Sequence, residues 1–235
     1  DELKERLDGE YEVIAQNFEM VKYRTRLIYQ NALEILKRAR MNGPRIFTVD
    51  IAGMSGAGKT QFTKRLTRIL NRDMPTRLVE SDWFITSREE RYRSFDMALR
   101  DSEVTLDDAR LSMPGQRREK YDRVWERIGK FNEGDKNDPV VILDKLYNPL
   151  GNGELTRHKP DLDLRELQIV VRSGNFVFGP DSGYEILMVV FPSTGFMRRL
   201  KRDYWADFER VEKNFWRVNT PSFLHYLQNL LPQGR

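Results

Sequence analysis

The chain has no cysteine in its 235 residues, and that absence excludes disulfides, thiolate catalysis and cysteine-ligated metal sites. Histidine is scarce as well: His158 and His225 are the two present, so a histidine-based metal cluster is not expected. Long apolar runs are lacking. Ile186-Leu187-Met188-Val189-Val190-Phe191 is among the longest, far short of the roughly 20 residues that cross a bilayer. The chain opens at Asp1 rather than Met, which suits a trimmed start, and no signal-peptide pattern follows. A cytoplasmic location is the expectation. No zinc finger, RNA-binding signature or basic stripe interleaved with aromatics is evident. The net charge of +4 suits anionic ligands in general but does not separate a nucleotide from a nucleic acid, and nothing supports nucleic acid as the substrate. With 39% apolar and 32% charged residues, the composition is that of one α/β domain with an elaboration.

What is present is a complete GxxxxGK[ST] phosphate loop, or Walker A motif. It reads Gly53-Met54-Ser55-Gly56-Ala57-Gly58-Lys59-Thr60 and follows the apolar run Ile46 to Ala52. The motif is specific only where a strand feeds it and a helix leaves it. Both are expected here, because the run reads as a buried parallel strand and Phe62, Leu66, Ile69 and Leu70 fall on one helical face. Gly53, Gly56 and Gly58 allow positive φ and close approach of backbone N–H groups to phosphate oxygens. Lys59 reaches the β- and γ-phosphates as a point charge, and the Thr60 hydroxyl ligates magnesium. The expected cofactors are therefore ATP and Mg2+. The nucleotide-binding set is Gly53, Ser55, Gly56, Ala57, Gly58, Lys59 and Thr60, joined by Arg198 from the C-terminal part of the chain.

Residues 11 to about 41 carry a long helical pattern, stopped by Asn42-Gly43-Pro44. Such a helix serves packing or dimerisation, so a homodimer is among the expectations. Thr76 to Glu80 reads as a short strand ending at Ser81-Asp82. A polar, charge-rich stretch then runs to about residue 136 as helices, with Leu106 to Gln116 as a mobile connection. Val140 to Leu143, Leu167 to Val171 and Glu185 to Phe191 supply further strands, and Ser193 to about Leu231 is mainly helical, broken near Pro221. Strands alternating with helices predict an α/β, doubly wound parallel sheet flanked by helices, with ligands at the carboxyl ends of the strands. The division expected is an N-terminal helical extension at 1–43 and a phosphate-loop domain at 44–235.

Glu80-Ser81-Asp82-Trp83-Phe84 comes about twenty residues after the loop, at the end of the next strand. A carboxylate there lies near the γ-phosphate, where it can accept the proton of an attacking hydroxyl or help hold magnesium. Asp82 is the candidate for both, with helix N-capping as the competing reading. Glu80 is expected to point elsewhere.

The loop, followed by Ser81-Asp82-Trp83-Phe84 in place of an Asp-Asp/Ser-Phe-Tyr segment, resembles the uridine kinase and phosphoribulokinase group of P-loop kinases, which includes bacterial pantothenate kinase. The likeness runs in order from about residue 45 to 224. Lys120-Tyr121-Asp122 to Asn132-Glu133-Gly134 is similar to the family's helix and turn, Leu146-Tyr147-Asn148 to its Pro-x-Tyr-Asp segment, and Phe196 to Asp203 to its arginine-rich lid helix. The resemblance implies ATP-dependent phosphorylation of a small-molecule hydroxyl. Asp82 would be the base, Tyr147 an acceptor-site tyrosine, and Arg198, Arg199 and Arg202 the lid that neutralises charge on the transferring group. Spacings of three and four also place these arginines toward one side of a helix, independently of the family.

Three departures stand out. Where the family has a magnesium-associated Glu-Gly, this chain has Arg172-Ser173-Gly174-Asn175. The nucleoside-binding Asp-His-Pro has no counterpart in Ser112 to Arg118, and Asn148 replaces an acid. Arg117, Arg118, Arg157 and Lys159 suit an acceptor already bearing phosphate or carboxylate. The long leading helix is like pantothenate kinase in architecture alone. Uridine itself is therefore not expected, while other nucleosides, sugars, phosphorylated sugars and pantothenate-like acceptors remain open. The alternative is a nucleotide-binding regulatory or scaffold protein with little or no transfer.

Overall fold

The structure is a computed structural model that describes residues 2–53, 56–85, 87, 89, 118–148, 153–174, 177, 181–189 and 194–198, and not the side chains of residues 2–21, 118 and 119. At its centre is strand β1 (Phe47–Gly53), every residue of which is buried. Its β-branched and apolar residues suit a strand covered on both faces. Strand β7 (Ile169–Gly174) pairs with it in parallel on one side and β8 (Tyr184–Met188) on the other. Strand β2 (Thr76–Glu80) pairs in parallel with β7, giving the order β2-β7-β1-β8.

The two faces of the sheet have different helices. Val49, Ile51, Ile169 and Val171 pack on helices α1 (Glu2–Met41) and α2 (Lys59–Leu70), through Ile35 and Leu36 of the first and Leu66 and Leu70 of the second. Ala52 and Val170 pack on helix α3 (Arg118–Asn132) through Tyr121, Val124 and Ile128. Helices on both faces of a parallel sheet make the doubly wound arrangement expected from the sequence. Ile51 is fully buried, and truncation of such a side chain to Ala costs about 2–5 kcal/mol.

Local chemistry explains the element ends. Helix α1 stops where Gly43 takes a φ of 72° and the Asn42 amide bonds back to the Arg38 and Ala39 carbonyls. It starts earlier than its apolar pattern, at Glu2 rather than residue 11. Its C-terminal half is tied to β8: the Tyr184 hydroxyl donates to Asn31 Oδ1 at 3.0 Å, and Arg38 lies 5.0 Å over the Tyr184 ring. Helix α3 is fixed to the start of β1 by Asn132, which exchanges two hydrogen bonds with the Ile46 backbone.

Several expectations shift. Strand β7 covers 169–174 rather than 167–171, and so carries Arg172, Ser173 and Gly174 into the sheet itself. Val140–Val141 (β3) does not join the parallel sheet. It pairs antiparallel with β6 (Leu162–Asp163), while Leu143 leaves the strand to give its amide to Asp161 Oδ1. A second ribbon of β4 (Leu146–Asn148) and β5 (Glu154–Thr156) was not foreseen. The expected strand to Phe191 ends at Met188, and of the expected helix over 193–231 residues 194–198 are helical. The remainder of that helix and the Leu106–Gln116 connection lie outside the described residues. No helix among the described residues is long and apolar enough to cross a membrane.

Candidate functional site

The phosphate loop leaves the carboxyl end of β1 at Gly53 and enters α2 at Lys59. Gly58 caps the helix with φ 89° and ψ 15°, a left-handed conformation that glycine adopts without steric cost, and no side chain among the described residues caps the helix there. The leading N–H groups of α2 are thus left without a side-chain cap at the positive end of the helix dipole, where an anion is stabilised. Gly56 has φ 82°, and a methyl group added to it would run into the backbone of Gly195. One added to Gly53 would strike the Met188 carbonyl at the end of β8. The glycines therefore serve close backbone approach as well as conformation.

Lys59 folds back over this loop and donates to the Gly53 carbonyl at 2.5 Å. Ala57 is buried beneath, and Thr60 is exposed in the first turn of α2. Above the loop, Arg198 donates to the Gly56 carbonyl at 3.3 Å, so the helical residues 194–198 sit directly on the phosphate loop. Ser55, Arg199 and Arg202, which the sequence also nominates, lie outside the described residues.

Asp82 belongs to a 3-10 turn, Ser81–Phe84, at the end of β2. It is exposed, and the N-cap of the turn is Glu80 with no side-chain cap bond, so capping does not account for Asp82. Trp83 and Phe84 anchor the turn in the core, the latter edge-on to Tyr121 with centroids 5.4 Å apart. Ser81 is buried against Gly174 so closely that any side chain at 174 would collide with its hydroxyl. The ends of β2 and β7 are therefore flush. Glu80 turns to Trp83, whose Nε1–H donates to its Oε2 at 2.9 Å. Burial raises the Glu80 carboxyl above its ordinary value, and the neighbouring Asp82 charge adds to this.

At the end of β7, where an acid is expected, Ser173 is buried between Ile51 and Glu80 in register. The preceding Arg172 points to the α3 face and grips Asp50 of β1 with two bonds, Nε to Oδ1 at 2.7 Å and Nη2 to Oδ2 at 2.5 Å. Both residues are buried, and the guanidinium lies 4.6 Å over the Trp125 ring. Burial pulls the Arg172 pKa down, but the bond to Asp50 and its charge outweigh this and hold it above its ordinary value. Sequence reasoning missed the pair. The signal was available: Asp50 interrupts an apolar strand and Arg172 another, but the β1–β7 register is needed to join them.

Tyr147 lies in β4, buried and opposite Leu155, and β4 packs against the turn that carries Asp82. The structure thus brings the Tyr147 hairpin and Asp82 into one neighbourhood. Arg157 is taken up by Asp161 at 2.6 Å, and Lys159 lies 4.9 Å over the Trp83 ring. Arg117 and the side chain of Arg118 are outside the described residues. No group of three His, Asp or Glu among the described residues could hold a metal.

No protein-family model and no curated protein sequence matches the chain. Solved structures do. A provisionally assigned fructose transport system kinase from Silicibacter sp. TM1040 superposes with a TM-score of 0.60 at 14% identity, over 86% of this chain and 93% of that one. The likeness is one of fold. A provisionally assigned uridine kinase from Bacillus stearothermophilus gives a TM-score of 0.44 at 16% identity, over 80% and 95% of the two chains.

Proposed function

We propose that the chain is an ATP-dependent kinase acting on a hydroxyl of a small molecule. The observation that carries this is the loop itself: a left-handed Gly58 cap leaves the start of α2 without a side-chain cap, Lys59 stands at the same point, and Arg198 reaches Gly56 from above. That cradle suits a chain of phosphates approached from both sides. Gly53, Ser55, Gly56, Ala57, Gly58, Lys59 and Thr60 would hold them.

An acceptor hydroxyl lodged near Tyr147 would attack the γ-phosphorus while Asp82 takes its proton and ADP leaves. Arg198, with Arg199 and Arg202, would offset charge on the transferring group and exclude water. Thr60 and Asp82 would be the protein ligands of magnesium in this reading, since this ion takes few side chains beside phosphate oxygens and water. It supplies charge neutralisation when bound. Residues 1–43 form the extension and 44–235 the kinase domain in this reading, and the lone α1 extension makes a homodimer testable by mass in solution.

A second reading has its own observation. Ser173 puts no acid at the end of β7, and Asp50 is committed to Arg172, which favours nucleotide binding with little transfer. One assay separates them: acceptor-dependent ADP release from magnesium-ATP over sugars, nucleosides, pantothenate and phosphorylated sugars. Turnover on any acceptor supports the kinase, whereas tight ATP binding with no turnover on all of them sinks it. Lys59→Ala should weaken ATP roughly tenfold to a hundredfold by titration calorimetry under both readings, so retained affinity would refute the loop assignment itself.

A further inference from the structure

A cleft of about 370 Å³ opens on the outer side of β2, between that strand, α2 and the segment ending at β6. No residue of the phosphate loop lines it. On its helix wall Lys64, Thr67 and Arg68 project together, as spacings of three and four require. Arg77 comes from β2 and Lys159 from the opposite wall, where it rests on Trp83. Glu80 is the single acidic residue in the lining among the described residues. None of Lys64, Arg68, Arg77 and Lys159 forms an ion pair among the described residues. Surface cations elsewhere on this chain do find partners, as Arg127, Lys120 and Arg165 show.

Two further features mark the cleft as more than a solvated basic face. The Thr67 hydroxyl, in the helix wall, is buried and has no hydrogen-bond partner among the described residues. Such a group is costly to leave unused, and because its oxygen is closed to solvent a ligand oxygen relieves that cost only if the helix wall shifts around it. Strand β2 pairs on one side alone among the described strands, so its outward backbone groups border the same space.

We infer that this cleft is a second anion site, built to take a phosphorylated small molecule distinct from the nucleotide at the loop. Four converging cations against one carboxyl suit a phosphate dianion held by several charge-assisted bonds. The volume fits a compact phosphate ester and lies at the lower end of small-ligand pockets. Helix α2 begins at the phosphate loop and carries Lys64 five residues later, so both sites share one rigid element. The inference stands apart from the kinase reading, because the cleft would bind whether or not transfer occurs.

The test uses the full chain carrying Lys59→Ala, titrated calorimetrically with inorganic pyrophosphate and with ribose 5-phosphate. One site should remain. Adding Lys64→Ala and Arg77→Ala should weaken it roughly tenfold or more, while Lys64→Arg with Arg77→Lys should restore it. In the otherwise native chain the same alanine pair should leave ATP affinity unchanged. Wild-type protein saturated with a non-hydrolysable ATP analogue repeats the measurement without altering the loop. Loss of all anion binding when the loop is mutated or filled would overturn the proposal. So would indifference to the alanine pair, or a single-stranded oligonucleotide that displaces both probes and binds more tightly than either.

Discussion

The carboxyl ends of β1 and β7 lie side by side in one sheet and are equipped in opposite ways. Strand β1 runs out through Gly53 into a glycine cradle with a lysine at its helix end. Strand β7 runs out through Ser173 and Gly174 with no carboxylate, and its one charge, Arg172, is drawn a residue back to clamp Asp50 beneath the loop. The glycine cradle and the nearest candidate carboxylate, Asp82, thus follow different strands, β1 and β2. If transfer occurs, its acid comes from the neighbouring strand: Asp82, on a turn held flush against Gly174. An arginine–aspartate pair at the strand junction serves the floor of the site rather than its chemistry.

Asp82→Asn sharpens this contrast most. It should lower acceptor-dependent kcat by roughly 10²–10⁴, the range of a lost general base, with ATP affinity little changed. A fall in affinity with kcat intact would move Asp82 to the binding side. Arg172→Met strikes the junction instead. It deprives the buried Asp50 carboxylate of its guanidinium, and removing one partner of a buried pair costs about 3–5 kcal/mol. Denaturant unfolding should show this, and Asp50→Asn on the same background should return much of it. Equal losses in the single and double variants would deny that the pair is coupled. Gly174→Ala comes next, at about 1–3 kcal/mol, because its methyl would push Ser81 and Val177 apart and displace the Asp82 turn. A larger fractional loss of kcat than of ATP affinity is the expected signature.

Much of this was legible beforehand, for identifiable reasons. The motif at 53–60 and the apolar run before it name their own context, so β1, the loop and α2 follow from local pattern alone. The helix at 118–132 and the strand at 76–80 are likewise local. The β3–β6 and β4–β5 ribbons depend on pairing between segments too short to carry a period, and Val140–Val141 reads as a sheet strand until its partner is seen. The Asp50–Arg172 pair spans 122 positions and exists through register alone. The cleft is equally non-local, since Lys64, Arg77 and Lys159 come from three separate segments.

The smallest effect belongs to Glu80, the acid that stands beside Ser173 in register but turns to Trp83. Its carboxyl is raised above the ordinary 4.5, first by burial and then by the charge of Asp82, with Trp83, Lys64 and Lys159 acting the other way. A carboxyl whose folded-state pKa exceeds its unfolded value stabilises the fold below the unfolded pKa, and that contribution is lost as pH rises through the folded value. Ionisation of Glu80 therefore costs the fold stability. Glu80→Gln keeps an oxygen for the Trp83 N–H and removes the ionisation. Its melting temperature should match the wild type below about pH 4, the lower edge of carboxylate titration, and exceed it by a widening margin toward neutrality. A constant offset at every pH would reflect packing instead. A variant less stable at neutral pH than at acid pH, relative to wild type, would mean that Lys64 and Lys159 hold the charged Glu80 within the cleft that all three line.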